Sequence, residues 1–168
     1  MSQQNVLQSN SEEFTIDSGV ARADRVALAD SLSKVLANSY LLYLKTQSFH
    51  WNVVGPLFYS VHKLTESQYE NLAKAIDDIA ERIRAIGFIA PGSFEQFKSL
   101  SSVQEETGSP HAEAMIKQLA DDNEACSRLL RKTVEEAEKV EDVKTADLLT
   151  ERIGQHEENT WMLRAIVS

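Results

Sequence analysis

The stretch "NLAKAIDDIAERIRAIG", residues 71–87, decides the fold. Its apolar positions Leu72, Ile76, Ile79, Ile83 and Ile86 are spaced 4-3-4-3, the repeat of one buried face of an α-helix, and Gly87 is a natural C-terminal stop. Working backwards, the spacing predicts a helix running from just after Pro56 to about Ile86. An earlier one begins at Leu28, keeps Leu32, Val35, Ser39 and Leu42 on its face, and ends near Asn52, before Gly55-Pro56. Working forwards, residues 87–109 form a long connection. Ser93 and Gln96 match a capping box within it, which predicts a short helix near 94–99. Ser109-Pro110 starts a third long helix, with Pro110 at its first position and Ala112, Ile116, Leu119, Cys126, Leu130 and Val134 on its face. The acidic turn "EKVEDVKT" leads to a fourth, with Leu149, Ile153, His156, Thr160, Leu163 and Val167 on one stripe. No segment alternates as a strand does. Four long helices and one longer connection make an all-α four-helix bundle, a single domain over 1–168 with residues 1–23 as an N-terminal tail, flexible or draped over the bundle.

Composition narrows the function. The chain of 168 residues is 42% hydrophobic and 26% charged, ordinary for a soluble domain with a real core. A net charge of −9 argues against nucleic acid, because neutralising phosphates takes lysine and arginine, and it suits attraction of cations. One cysteine, Cys126, excludes an intrachain disulfide and fits a reducing cytoplasm. No apolar run approaches a membrane span, and the N-terminus has no charged-then-apolar signal pattern.

The chemistry-bearing residues cluster on the second helix and just before it. "FHWNVVGPLFYSVHKLTE", residues 49–66, holds His50, His62 and Glu66, and the opening stretch adds Asp77 and Glu81. With His62 as zero and about 100° per residue, Glu66 falls near 40°, Asp77 near 60° and Glu81 near 100°, so all four share one stripe. Such acids at i, i+4 are also what a solvated helix face looks like, with Asp77 paired to Lys74 or Arg84. Mixed imidazole and carboxylate ligation suits iron, manganese or zinc. His62 and Asp77 stand fifteen residues apart, roughly 22 Å along the axis at about 1.5 Å per residue, whereas ligand bonds are only about 2 Å long. One straight helix cannot bring both to one ion. Two antiparallel copies about a two-fold axis can, setting His50, His62 and Glu66 of one against Asp77 and Glu81 of the other, twice.

The pattern His50-x11-His62-x3-Glu66-x10-Asp77-x3-Glu81, written over "FHWNVVGP" and "AIDDIAERI", resembles the Dps family of mini-ferritins over about residues 25–167. The resemblance implies a ferritin-like bundle in a dodecameric hollow shell with inter-subunit ferroxidase centres. It implies Fe(II) oxidation by hydrogen peroxide or dioxygen and storage of ferric iron in the cavity. His50, His62, Asp77 and Glu81 match the family's iron ligands by position. Glu66 stands where the family commonly has aspartate. Trp51 matches a tryptophan beside the centre that traps oxidising equivalents, and it reads equally as a packing anchor. Glu138, Asp142 and Asp147 resemble the acidic lining of an iron-entry pore, or a solvated turn. His111 reads as a surface residue of a first turn, His156 as an interior histidine, Cys126 as a buried small hydrophobe, and Trp161 and Met162 as packing residues. Family members that bind DNA use a lysine-rich tail. Residues 1–21 contain no Lys or Arg, and no basic extension follows Arg164, so DNA binding is not expected. The other readings are a nucleoid-associated DNA binder and a scaffold with dead metal sites.

Overall fold

The computed structural model describes residues 13–168 and contains five helices: α1 (Arg22–Asn52), α2 (Phe58–Ala85), α3 (Phe94–Leu100), α4 (Ala112–Lys139) and α5 (Val143–Ile166). α1 and α2 form one antiparallel hairpin, α4 and α5 a second. Ser31 bonds Glu136 while Lys45 bonds Asp122, so α4 runs antiparallel to α1. Arg82 bonds Asp142 while Asn71 receives Arg152, so α5 runs antiparallel to α2. α2 and α4 are therefore parallel, and residues 86–111 must cross from one end of the bundle to the other. α3 lies within this crossover and rests on α1, Phe97 stacking on Tyr40 at 4.6 Å. Its capping box forms as the sequence predicts, the Ser93 hydroxyl accepting from the Gln96 amide and Gln96 Oε1 from the Ser93 amide.

Two apolar clusters fill the bundle. One gathers Leu28, Leu32, Leu36, Ile79, Ile83 and Leu149, the other Leu42, Phe49, Leu72, Ile116, Leu119 and Leu163. α1 departs from the single-stripe expectation: residues 35–39 are all buried, because α2, α3 and α4 cover it on several sides. Polar residues sit among these clusters. Lys45 and Asp122 form a largely buried ion pair at 2.7 Å. His156, on the apolar stripe as the sequence places it, faces Asn123 Oδ1 at 2.8 Å. Cys126 is buried, and burial pushes its thiol up to about 12.

Three expectations are corrected. α1 begins at Arg22, ahead of Leu28 where its apolar stripe starts, and residues 13–21 take the draped form of the tail, not the flexible one. The Phe14 amide donates to Gly87 O at 2.8 Å, and Glu13 pairs with Arg22 at 2.6 Å. The buried Arg25 guanidinium donates to Ile86 O, Ile16 O and Val20 O, pinning this segment over the end of α2. Gly87 is at φ +109°, and a Cβ there would meet Phe14 O at 2.9 Å, so the stop residue is also the seat of the strap. Residues 1–12 of the expected tail lie outside the described residues. Pro110 is not the first residue of α4. His111 caps the helix, its Nδ1 accepting from the Ala114 amide at 3.4 Å. Trp161 is 68% exposed and so is no packing residue within one chain.

His156 gives the fold a pH signature. Burial, followed by the nearby Arg152 charge, pushes its imidazole down to about 3. Above pH 6.5 both folded and unfolded chains hold it neutral. Below that, only the unfolded chain takes up the proton, so stability falls by about 1.4 kcal/mol per pH unit until the folded value is reached. Denaturant midpoints at pH 7 and pH 5 should therefore differ more for the wild type than for His156→Gln. Equal pH dependence in the two would show that His156 is not buried in its neutral form.

Candidate metal centre

α1 ends at Asn52 with Val53 extended, Gly55 turns the chain at φ +91°, and α2 starts at Phe58. This short turn brings His50 and His62, twelve residues apart, into face-to-face contact with ring centroids 3.8 Å apart and planes 15° from parallel. His50 Nδ1 lies 2.8 Å from His62 O, and His62 Nδ1 lies 2.9 Å from His50 O. A carbonyl oxygen only accepts, so each Nδ1 must carry the proton and donate. That leaves Nε2 of each ring as the atom available to a ligand. His50 is buried, and His62 is half-buried. Phe58 stacks on His62 at 5.0 Å, and Tyr69 meets His50 edge-on at 5.1 Å.

Glu66 follows His62 by one turn of α2 and is ion-paired with Lys63 at 2.8 Å. The Lys63 hydrogen bond and charge, with smaller help from His50 and His62, hold its carboxyl below the usual range. Two imidazole nitrogens and a carboxylate thus lie near one end of α2. Toward the other end, Asp77 and Glu81 are exposed and make no hydrogen bond or ion pair among the described residues. The partners that a solvated-face reading offers Asp77 are engaged elsewhere. Lys74 pairs with Asp78 at 2.7 Å, and Arg84 donates to Phe88 O at 2.9 Å while covering the Phe14 ring. α2 is one uninterrupted helix between the two groups. Among the described residues, no three His, Cys, Asp or Glu side chains of one chain gather where a metal could be held.

Of the three acids read as a pore lining, Asp142 is withdrawn. It is 4% exposed and caps α5, accepting from the Thr145 amide at 3.0 Å and hydroxyl at 2.6 Å and from Arg82 at 2.7 Å. Burial pushes its carboxyl up, but Thr145 and Arg82 outweigh this and hold it low. Glu138 and Asp147 are exposed and line a shallow hollow with Glu141 and Val143, Asp147 pairing with Lys144 at 3.1 Å. Trp51 is 61% exposed beside His50, so within one chain it anchors nothing.

Sequence reasoning missed Tyr69 and Phe58 as walls of the histidine pair. Tyr69 reaches His50 across two helices, which no local spacing announces, whereas Phe58 stands four residues before His62 on α2, a spacing present in the sequence.

A long-helix bundle with one crossover, with a histidine from each of α1 and α2 and acids displayed on α2, points to the ferritin-like class. A family model described as Ferritin-like domain matches residues 29–168. The chain is 42% identical over 154 residues to an uncharacterized low temperature-induced protein of Nostoc, covering 90% of this chain and 86% of that one. It is 36% identical over 137 residues to the DNA protection during starvation protein 2 of Bacillus anthracis, covering 82% and 94%. The crystal structure of a Dps protein from Bacillus brevis superposes with a TM-score of 0.84 at 30% identity, covering 87% of this chain and 98% of that one. The chain belongs to the ferritin-like family and, within it, to the Dps proteins.

Proposed function

We propose that this protein oxidises Fe(II) and stores the Fe(III) it makes inside a hollow shell of twelve copies, so protecting the cell from iron-driven oxidation. The observation that carries this reading is the split ligand set on α2. Two Nε2 atoms and Glu66 stand near one end of an unbroken helix, and two unpaired carboxylates stand roughly 22 Å away at about 1.5 Å per residue. Neither half is a metal site alone, and a two-fold related copy supplies what each lacks. His50, His62 and Glu66 of one copy then face Asp77 and Glu81 of its mate.

Fe(II) is the substrate. The carboxylates offset its charge as hard oxygen ligands, and the imidazoles hold it without adding negative charge. With peroxide the balance is two Fe(II), one hydrogen peroxide and two protons giving two Fe(III) and two waters, with no radical released. Dioxygen is the alternative oxidant. Exposed Glu138 and Asp147 are the remaining candidates for an iron-entry lining. Among the described residues no helix is long and apolar enough to cross a membrane, and we place the protein in the cytoplasm. A DNA-binding role has less support: residues 1–21 carry no basic side chain, and the first arginine, Arg22, is paired with Glu13.

The test is stopped-flow oxidation of Fe(II) by the purified protein with each oxidant in turn. His62→Ala should lower the fast rate by at least tenfold, as loss of a metal contact commonly does, while His111→Ala, at an exposed cap, stays near wild type. The same preparation at about 0.15 M salt, where only phosphate contacts from basic residues sustain binding, should not retard plasmid DNA. Equal losses from both substitutions, or no oxidation by the wild type, would refute the site. Tight retardation would restore the DNA reading.

A further inference from the structure

Three of the chain's four tyrosines form one continuous line that starts at the histidine pair. Tyr69 meets His50 at 5.1 Å between centroids, Tyr43 meets Tyr69 at 6.2 Å, and Tyr40 meets Tyr43 at 6.0 Å, all edge-to-face. Tyr40 then stacks on Phe97. Tyr69 belongs to α2 and the other two to α1, so the line runs along the seam of the first hairpin, away from the turn. Gln47 donates to the Tyr43 hydroxyl at 3.3 Å. Among the described residues, no tyrosine hydroxyl is sealed from both water and a hydrogen-bond partner.

A packing seam accounts for the rings but not for the hydroxyls, since phenylalanine would fill the same space. What phenol adds is an electron that is removed far more easily than one from benzene or imidazole. The other ring stacked on the pair is Phe58, which offers none. Trp51 is adjacent in sequence but makes no ring contact with the pair among the described residues. The oxidisable ring in contact with the pair is Tyr69.

We propose that Tyr69, Tyr43 and Tyr40 are a redox relay that quenches one-electron oxidants arising at the histidine pair and moves the oxidising equivalent into the α1–α2 seam. The inference rests on the iron-oxidising reading above. When a centre holds a single Fe(II), peroxide takes only one electron and splits into hydroxide and hydroxyl radical. Tyr69 gives that radical its phenolic hydrogen atom, forming water and a tyrosyl radical. Overall, Fe(II), hydrogen peroxide and a phenol become Fe(III), hydroxide, water and a phenoxyl radical. Tyr43 re-reduces Tyr69, and Tyr40 re-reduces Tyr43, each passing an electron while a proton is exchanged with solvent. A later Fe(II) with one proton ends the sequence, restoring the phenol and leaving Fe(III).

The assembled wild-type protein, given less Fe(II) than it has centres and then excess peroxide, should show a tyrosyl radical by freeze-quench electron paramagnetic resonance. Tyr69→Phe should lose that signal and release more hydroxyl radical to a spin trap, both measured per Fe(II) oxidised because Tyr69 also walls the pair. Tyr43→Phe should keep a radical on Tyr69 but lose oxidised Tyr40 from the peptide mass map. Tyr59→Phe, at the exposed fourth tyrosine, serves as the comparison and should match wild type. The relay is overturned if Tyr69→Phe retains the wild-type signal and radical release, or if Trp51→Phe or Tyr59→Phe abolishes the signal instead. If the wild type oxidises no iron, the site reading fails first and takes the relay with it. Normal oxidation without a tyrosyl signal overturns the relay alone.

Discussion

Two inactive variants are expected to recover activity when they share a shell. One variant lacks both histidines (His50→Ala with His62→Ala), the other both acids (Asp77→Ala with Glu81→Ala). Separately, each should be nearly inactive in fast Fe(II) oxidation, since every centre lacks half of its ligands. In a mixed dimer, one centre combines the two damaged halves and is dead. The other combines the two intact halves and works. Random pairing of equal amounts makes about half the dimers mixed with one good centre of two, so about a quarter of wild-type fast oxidation should return. A centre contained in one chain gives no recovery, because every chain carries a broken site. Activity that stays at the level of the separate variants, with mixing confirmed by mass, would eliminate the shared centre. The structure makes the contrast clean, because Asp77 and Glu81 hold nothing else in place among the described residues, so their removal should leave the bundle intact.

The second large effect concerns stability. Asp142→Ala should destabilise the folded chain by about 3 kcal/mol. That sum combines about 1 kcal/mol for a lost helix cap with part of the roughly 3–5 kcal/mol typical of breaking a buried pair, discounted because Arg82 is partly exposed. Asp142→Asn keeps an oxygen for the cap and should lose less. Asp147→Ala, five residues further along the same helix but exposed, should stay within about 0.5 kcal/mol of wild type. Denaturant unfolding of the three variants decides it, and equal midpoints for the two alanine variants would overturn the assignment. The pH sign follows from the lowered carboxyl. Its stabilisation is complete above the unfolded carboxylate range and is lost as pH falls through the folded value. Acid should therefore narrow the gap between wild type and Asp142→Ala.

Asp142 also shows where sequence reading stops. It lies in an acid-rich turn, and composition alone counts it with Glu138 and Asp147. Its cap on Thr145 is local, but its ion pair depends on Arg82, sixty residues earlier on α2, and no local period reports that contact. The contacts of the draped segment failed to show for the same reason: residues 13–21 have no repeat of their own and are held by Arg25 reaching the carbonyls of Ile16 and Ile86. What was legible was periodic or local. The apolar stripes gave four helices, Ser93 and Gln96 gave the short one, and Gly55 and Gly87 marked turns where φ is positive. The candidate ligands were legible because residue type and helical spacing suffice to put His62, Glu66, Asp77 and Glu81 on one stripe. Their surroundings were legible only in part: Phe58 stands one turn before His62 on α2, but the Tyr69–His50 contact and the crossed carbonyl bonds come together only through the α1–α2 turn.

In the centre proposed above, those crossed bonds make capture of metal a property of the turn as much as of the rings. Each imidazole is oriented by the backbone of the residue that bears the other, so the freedom both rings must give up is already lost when the hairpin closes. Folding and ion binding are then two views of one linked equilibrium. An ion held by both rings, as proposed, would tie the end of α1 to the start of α2, and a loosened turn would weaken the grip on the ion by the same free energy. Gly55, which touches no ligand and has open space around it, enters that equilibrium through its positive φ alone.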